Sequence, residues 1–145
     1  SIIKEELKMA FTTYGSNNIL NGLIGKGSGP LSNCYIALST TRPNDDGSNF
    51  TEPPSSAGYA RSLIGQSGST ATQVMSNPAN GSTQNNSIIF FPEATAGWGT
   101  ITYFGLYNAA TGGQLVLYGA LTNPISIAAN YVPLFRVGNF SLTLS

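Results

Sequence analysis

Glu52 and Glu93 are the two carboxylates in this sequence best placed for acid–base work, because a hydrolase acting on a glycosidic bond needs a pair of acids flanking it. Each sits beside a proline (Thr51-Glu-Pro-Pro54 and Phe91-Pro-Glu93), a setting that explains it equally well as a turn on the surface. The chain has no histidine, which removes the commonest general base and with it any Ser-His-Asp triad or Cys-His dyad. Cys34 is the only cysteine, so no intrachain disulfide can form, and its apolar neighbours read it as a small buried hydrophobe. Asp45, Asp46, Asn49 and Glu52 could ligate calcium, but their spacing departs from D-x-[DN]-x-[DN]-G, and Asx-turns account for them. Gly25-Lys-Gly-Ser-Gly-Pro30 offers a lysine among glycines. A phosphate loop follows a strand and precedes a helix, whereas here the order is reversed, so a linker is expected. Arg61, flanked by apolar positions, is expected to form a structural ion pair with Glu52 or Glu93. The residues therefore predict no enzyme, no catalytic residue, no cofactor and no metal.

The aromatic side chains carry a different chemistry. Tyr14, Tyr35, Tyr59, Tyr103, Tyr107, Tyr118, Tyr131 and Trp98 could stack on sugar rings, with Asn and Ser supplying hydrogen bonds. Most fall at alternating strand positions, which favours core or interface, so Tyr103, Tyr107 and Tyr118 are structural or interface candidates alongside Arg61, Glu52, Glu93 and Trp98. Trp98, between Gly97 and Gly99, is expected to turn inward and bond its N–H to a backbone carbonyl; an exposed, receptor-contacting indole is the rival reading.

The elements that must position these residues centre on Ser87–Leu121. Ile101–Tyr107 and Gln114–Leu121 read as two strands joined by Asn108-Ala-Ala-Thr-Gly-Gly113, whose glycines tolerate positive φ and so suit a hairpin loop. Strict alternation places Ile101, Tyr103 and Tyr107 on one face, with Phe104 and Leu106 on the other. Both faces are apolar, which predicts a central strand covered on both sides or one that meets another subunit. Further strands are expected at Cys34–Thr40, Tyr59–Ile64, Ala71–Met75, Ser87–Phe91, Ile125–Ala128, Tyr131–Val137 and Asn139–Leu144, with Asn123-Pro124 as a turn. The helix signal lies within Ser1–Leu23: Ile3, Leu7, Ala10 and Phe11, then Ile19, Leu20, Leu23 and Ile24, with Thr12–Asn18 as an interruption. It reads either as an arm docking on a partner or as a helix lying over the end of a sheet. These readings predict an all-β, antiparallel β-sandwich, jelly-roll-like and of about eight strands, with a short N-terminal helical arm. The expected division is 1–30 (helical arm and Gly-rich linker) and 31–145 (β-sandwich domain).

Composition sets the surroundings in which such a domain works. Of 145 residues 41% are hydrophobic, so a core can form, but only 8% are charged against roughly 25% in an average domain. The formal net charge is zero, which leaves little repulsion between copies and suits a fixed assembly. Six Lys and Arg residues spread along the chain make no basic patch, so nucleic acid is not an expected partner. No apolar run approaches about 18 residues, so no membrane partner is expected, and the opening SIIKEELKMAF lacks the apolar stretch of a secretory signal.

Three pieces of the sequence carry a family likeness. The first is Tyr35-Ile-Ala-Leu-Ser-Thr-Thr-Arg-Pro43 with Asp46-Gly47, Thr51-Glu52 and Gly58-Tyr-Ala-Arg61. The second is Ile89-Phe-Phe-Pro-Glu-Ala-Thr-Ala96 with Trp98-Gly-Thr100. The third is Phe104-Gly-Leu-Tyr-Asn-Ala-Ala-Thr-Gly-Gly113 followed by Tyr118-Gly-Ala-Leu-Thr122. In this order, from about Cys34 to Leu144, the chain resembles small virion proteins of tailed bacteriophages that are usually labelled minor tail or tail-fibre proteins. It differs in a longer Gly65–Asn86 region and in the N-terminal arm. The resemblance implies a virion structural role without catalytic residues. The reading that follows is a non-enzymatic component of the tail-fibre or baseplate region that self-associates, as a homotrimer, and contacts other virion proteins. With no heptads, collagen triplets or other repeats to build a shaft, it would be a tip, adaptor or knob. A capsid decoration protein clamping capsid subunits is the alternative, and a tip that binds a host-surface glycan is the second alternative.

Overall fold

The computed structural model describes residues 5–6, 10–27, 31–70 and 72–144. In chain order the elements are β1 (Glu5–Glu6), β2 (Ala10–Phe11), helix α1 (Thr13–Leu23), β3 (Asn33–Ser39), a 3-10 turn (Ser55–Ala57), β4 (Ser62–Gln66), β5 (Ser82–Gln84), β6 (Ile89–Phe90), β7 (Gly99–Tyr107), β8 (Leu115–Ile127), β9 (Leu134–Phe135) and β10 (Phe140–Thr143). The protein is all-β, built mostly of antiparallel strands with a single helix among the described residues.

The β7–β8 hairpin is the centre of a five-stranded sheet ordered β2-β8-β7-β3-β4. Its tip closes as the glycines require: Gly112 and Gly113 have φ of 59° and 70°, and the Asn108 side chain accepts from the Gln114 N–H at 2.8 Å. The sheet's inner face carries Ile36, Leu38, Ile64, Ile101, Phe104, Leu106 and Leu117. Against it pack Ile89, Phe91, Phe135 and Phe140, supplied by the small sheets β6-β9 and β1-β10-β5. Edge-to-face ring pairs, Phe104 with Phe140 at 5.5 Å and Phe135 with Phe140 at 5.3 Å, lie at the junction.

Several sequence expectations change here. Ile101 belongs to the inner face with Phe104, not to the Tyr103–Tyr107 face, because the register shifts between Ile101 and Tyr103: Ile101 opposes Ile125 while Tyr103 opposes Ala120. The extra residues on β8 form a bulge that inverts the alternation. The same bulge holds Asn123-Pro124, expected as a turn; strand β8 runs through it, since proline is tolerated where no ladder bond is needed. The expected strand Tyr59–Ile64 is displaced along the chain to β4 (Ser62–Gln66), and Tyr131–Val137 shrinks to Leu134–Phe135. Within the expected strand Ala71–Met75, residue 71 is outside the described residues and Met75 forms only an isolated bridge to Asn85.

At the N-terminus, Ile3 and Leu7 of the expected helix lie outside the described residues, as do Ser28, Gly29 and Pro30 of the expected linker. Glu5–Glu6 and Ala10–Phe11 are strands, and the supposed interruption at Thr12–Asn18 is the first half of the helix. The reason is Thr12. Its buried hydroxyl accepts from the Gly15 N–H at 3.1 Å, capping α1, and donates to the carbonyls of Leu115 and Val116 on β8. Gly15 is then the packing residue of the helix, because a Cβ there would overlap the Val116 carbonyl oxygen.

Candidate functional site

The residues that could do chemistry meet at the second face of the large sheet. Pro53 and Pro54 lead into the 3-10 turn, and Gly58 closes it at φ 85° with its N–H bonded to the Ser55 carbonyl. The chain leaves this turn extended, so Tyr59 points into the core and Arg61 turns back over Glu52. The Arg61 guanidinium grips that carboxylate with two hydrogen bonds, Nε to Oε1 at 2.8 Å and Nη2 to Oε2 at 2.9 Å. Nη1 donates to the carbonyls of Ala109 and Gly112 at the hairpin tip, both at 2.8 Å. Beneath it lies the Tyr107 ring, 3.6 Å from the guanidinium carbon to the ring centre. Four of its five N–H donors are thus directed at protein acceptors, and the side chain is 5% exposed.

Tyr59 completes the arrangement. Its hydroxyl donates to Glu52 Oε1 at 2.7 Å and accepts from the Leu38 N–H at 3.0 Å, coupling the carboxylate to β3. Its ring stands edge-on to Trp98 at 5.3 Å. Trp98, 3% exposed, is turned inward as its glycine flanks lead one to expect, and its indole N–H donates to the Ala57 carbonyl at 2.8 Å. Burial opposes the charge on Arg61, but the hydrogen bonds and charge of Glu52 outweigh it and hold the guanidinium above its ordinary value. Burial, aided by the Glu52 charge, pushes the Tyr59 hydroxyl far up. Burial also raises Tyr107, to about 12, with Arg61 opposing and Glu52 assisting. Both phenols are therefore neutral, and that of Tyr59 serves as a hydrogen-bond donor, at any ordinary pH.

The other sequence candidates go elsewhere. Glu93 is exposed, and the carboxylate that Arg61 takes is Glu52. Tyr118 shares the Tyr107 face, where Ala37 and Leu115 are buried and Tyr103 is half-buried, but its hydroxyl donates to Asp45. That hydrogen bond, then burial, raises the Tyr118 pKa. Asp46 forms the expected Asx-turn, accepting from the Ser48 N–H at 2.9 Å and the Ser48 hydroxyl at 2.6 Å, and these bonds lower its pKa. Among the described residues no three Asp, Glu or Cys side chains gather as a metal site would require. Three buried polar groups had no sequence signal beyond their type. Besides Thr12, these are Ser39, whose hydroxyl bonds the Thr41 carbonyl and the Thr51 N–H, and Asn85. The Asn85 amide donates to the carbonyls of Ser87 and Arg136 and accepts from the Phe140 N–H, tying β6, β9 and β10 together.

Two apolar surface features lie on and beside α1. A groove of about 420 Å³ lies beside α1, lined by Phe11, Ile19, Cys34, Leu117, Leu142 and Leu144 among others. Burial there pushes the Cys34 thiol up to about 12, so it behaves as the small hydrophobe expected. Further along the helix, Leu20, Leu23 and Ile24 stand exposed at 56%, 76% and 64%.

A family model described as Podophage GP4 fiber I protein gp80 matches residues 10–143, nearly the whole chain. No curated protein matches it.

Proposed function

Since this chain belongs to the podophage GP4 fiber I protein gp80 family, a phage fibre structural family located in the virion tail, we propose that it is a non-enzymatic, self-associating component of the tail-fibre or baseplate region. The observation that carries this reading is the family match across residues 10–143. The Arg61–Glu52 arrangement supports it. A glycosidase-type site needs a second carboxylate near the first, and here the polar atoms of Arg61, Glu52 and Tyr59 are spent on joining the 52–61 segment, β3 and the hairpin tip. We read Arg61, Glu52, Tyr107 and Trp98 as structural residues, and Tyr103 and Tyr118 as members of the second-face cluster. A homotrimer is the assembly proposed, in contact with other tail proteins. Antibody labelling of intact virions, with copy number from quantitative gels, tests the placement. Label on the tail at tens of copies or fewer is expected. Label over the head at hundreds of copies would replace this reading with capsid decoration.

A further inference from the structure

We propose that the exposed stripe Leu20–Leu23–Ile24 on α1 seats in the apolar groove of a second copy of this chain, so that each subunit gives its helix end to the next. The inference rests on the self-association reading and names the surfaces that would carry it. The stripe has the i, i+3, i+4 spacing with which a helix fills a groove, and these are among the most exposed large apolar side chains described. The groove is its counterpart in chemistry: apart from Ser82, Thr83 and the Cys34 thiol its lining side chains are hydrocarbon, and it offers almost no polar surface to a ligand that would need hydrogen bonds. Water in this groove of about 420 Å³ lies against an apolar lining, and releasing it favours an apolar occupant.

Charge does not oppose the contact. Helix α1 has no acidic residue in its first turn and no basic residue in its last, and the chain's formal net charge is zero. Geometry favours a copy of the chain over an unrelated peptide. Ile19 lines the groove, and Leu23 lies one turn further on the same side of the helix, so stripe and groove adjoin without facing each other. A helix cannot enter a groove that its own residue walls, but it can enter a neighbour's. Such a head-to-tail contact is heterologous, and rotation about an axis close to the helices closes it into a ring.

Light scattering on the purified full chain, with Leu23→Asp for the stripe and Leu144→Asp for the groove rim, tests this. Leu144 is 62% exposed, so neither substitution enters the core. Unchanged circular dichroism is expected; if either aspartate unfolds the chain, serine at the same position is used. The wild type should form a closed oligomer, and each substitution should weaken association by about tenfold or more. If the wild type assembles and either variant assembles equally well, the stripe-in-groove contact is wrong while self-association stands. A wild type that stays monomeric at high concentration overturns both.

Discussion

Arg61 shows how a single residue can look reactive and be structural. An arginine beside a carboxylate invites a reading as a substrate anchor, yet its donors reach two segments that are far apart in sequence. The bidentate bond to Glu52 orients the guanidinium, and the carbonyls of Ala109 and Gly112 lie where only a planar fork can serve them together. Lysine offers a point charge and cannot reach all four acceptors. Arg61→Lys should therefore lower stability by about 1–3 kcal/mol, read as a lower urea midpoint at unchanged m-value. An equal midpoint would show that the hairpin tip is held without this side chain. Trp98 tells a similar story: Gly99 beside it takes φ 79°, and the Ala57 carbonyl gives the indole N–H a partner inside.

Among the elements, the helix is the one whose placement depends most on a close approach. Gly15 would weaken an isolated helix, because glycine loses more backbone entropy than alanine. In this protein it lets α1 lie directly on the Val116 backbone while Thr12 caps the helix from the same strand. The propensity rule is thus expected to fail in sign. Gly15→Ala should destabilise by about 1–3 kcal/mol through overpacking, although an alanine scan of an exposed helix would predict a gain. Thermal denaturation checks it, and a raised Tm would mean that the helix can move off the strand at no cost. Strand β8 makes the complementary point, carrying Pro124 through its length because a bulge there removes the demand for a ladder bond.

For the molecule as a whole, the buried weak acids set an alkaline limit. Tyr107 and Cys34 have folded pKa values near 12, above their ordinary values near 10 and 9, and Tyr59 is shifted upward as well. Each is favoured in its neutral form by folding. Its contribution is complete below the unfolded pKa and is lost as pH rises toward the folded one. Stability should stay nearly flat from neutral pH to about 9 and then fall through pH 12, at about 1.4 kcal/mol per pH unit for each group titrating. Urea midpoints against pH measure this, and Tyr107→Phe should make the fall less steep between pH 10 and 12. A flat profile to pH 12 would mean that these groups are solvated in the folded protein. At the acid end, Asp46, whose pKa is lowered by Ser48, adds its share above its unfolded pKa and loses it as pH falls through the folded value.

The sequence by itself determined what depends on neighbours along the chain: strand-forming runs, the glycine-closed hairpin, the Asx-turn at Asp46 and the scarcity of charge, and it favoured an inward Trp98 over an exposed one. It also narrowed the partner of Arg61 to two glutamates. Tertiary structure decided everything that needs two distant segments to meet. Which glutamate Arg61 takes follows from the turn at Gly58, and its second pair of acceptors comes from a hairpin tip some fifty residues away. Whether Ile101 faces the core is a matter of register between β7 and β8, and one bulge reverses an alternation that the strand alone makes look strict. Asn85 bonds locally only to the Ser87 carbonyl, and its other partners, the Arg136 carbonyl and the Phe140 N–H, arrive only with closure of the core. Local chemistry can specify a strand or a turn; a shared hydrogen bond exists only after the chain has folded around it.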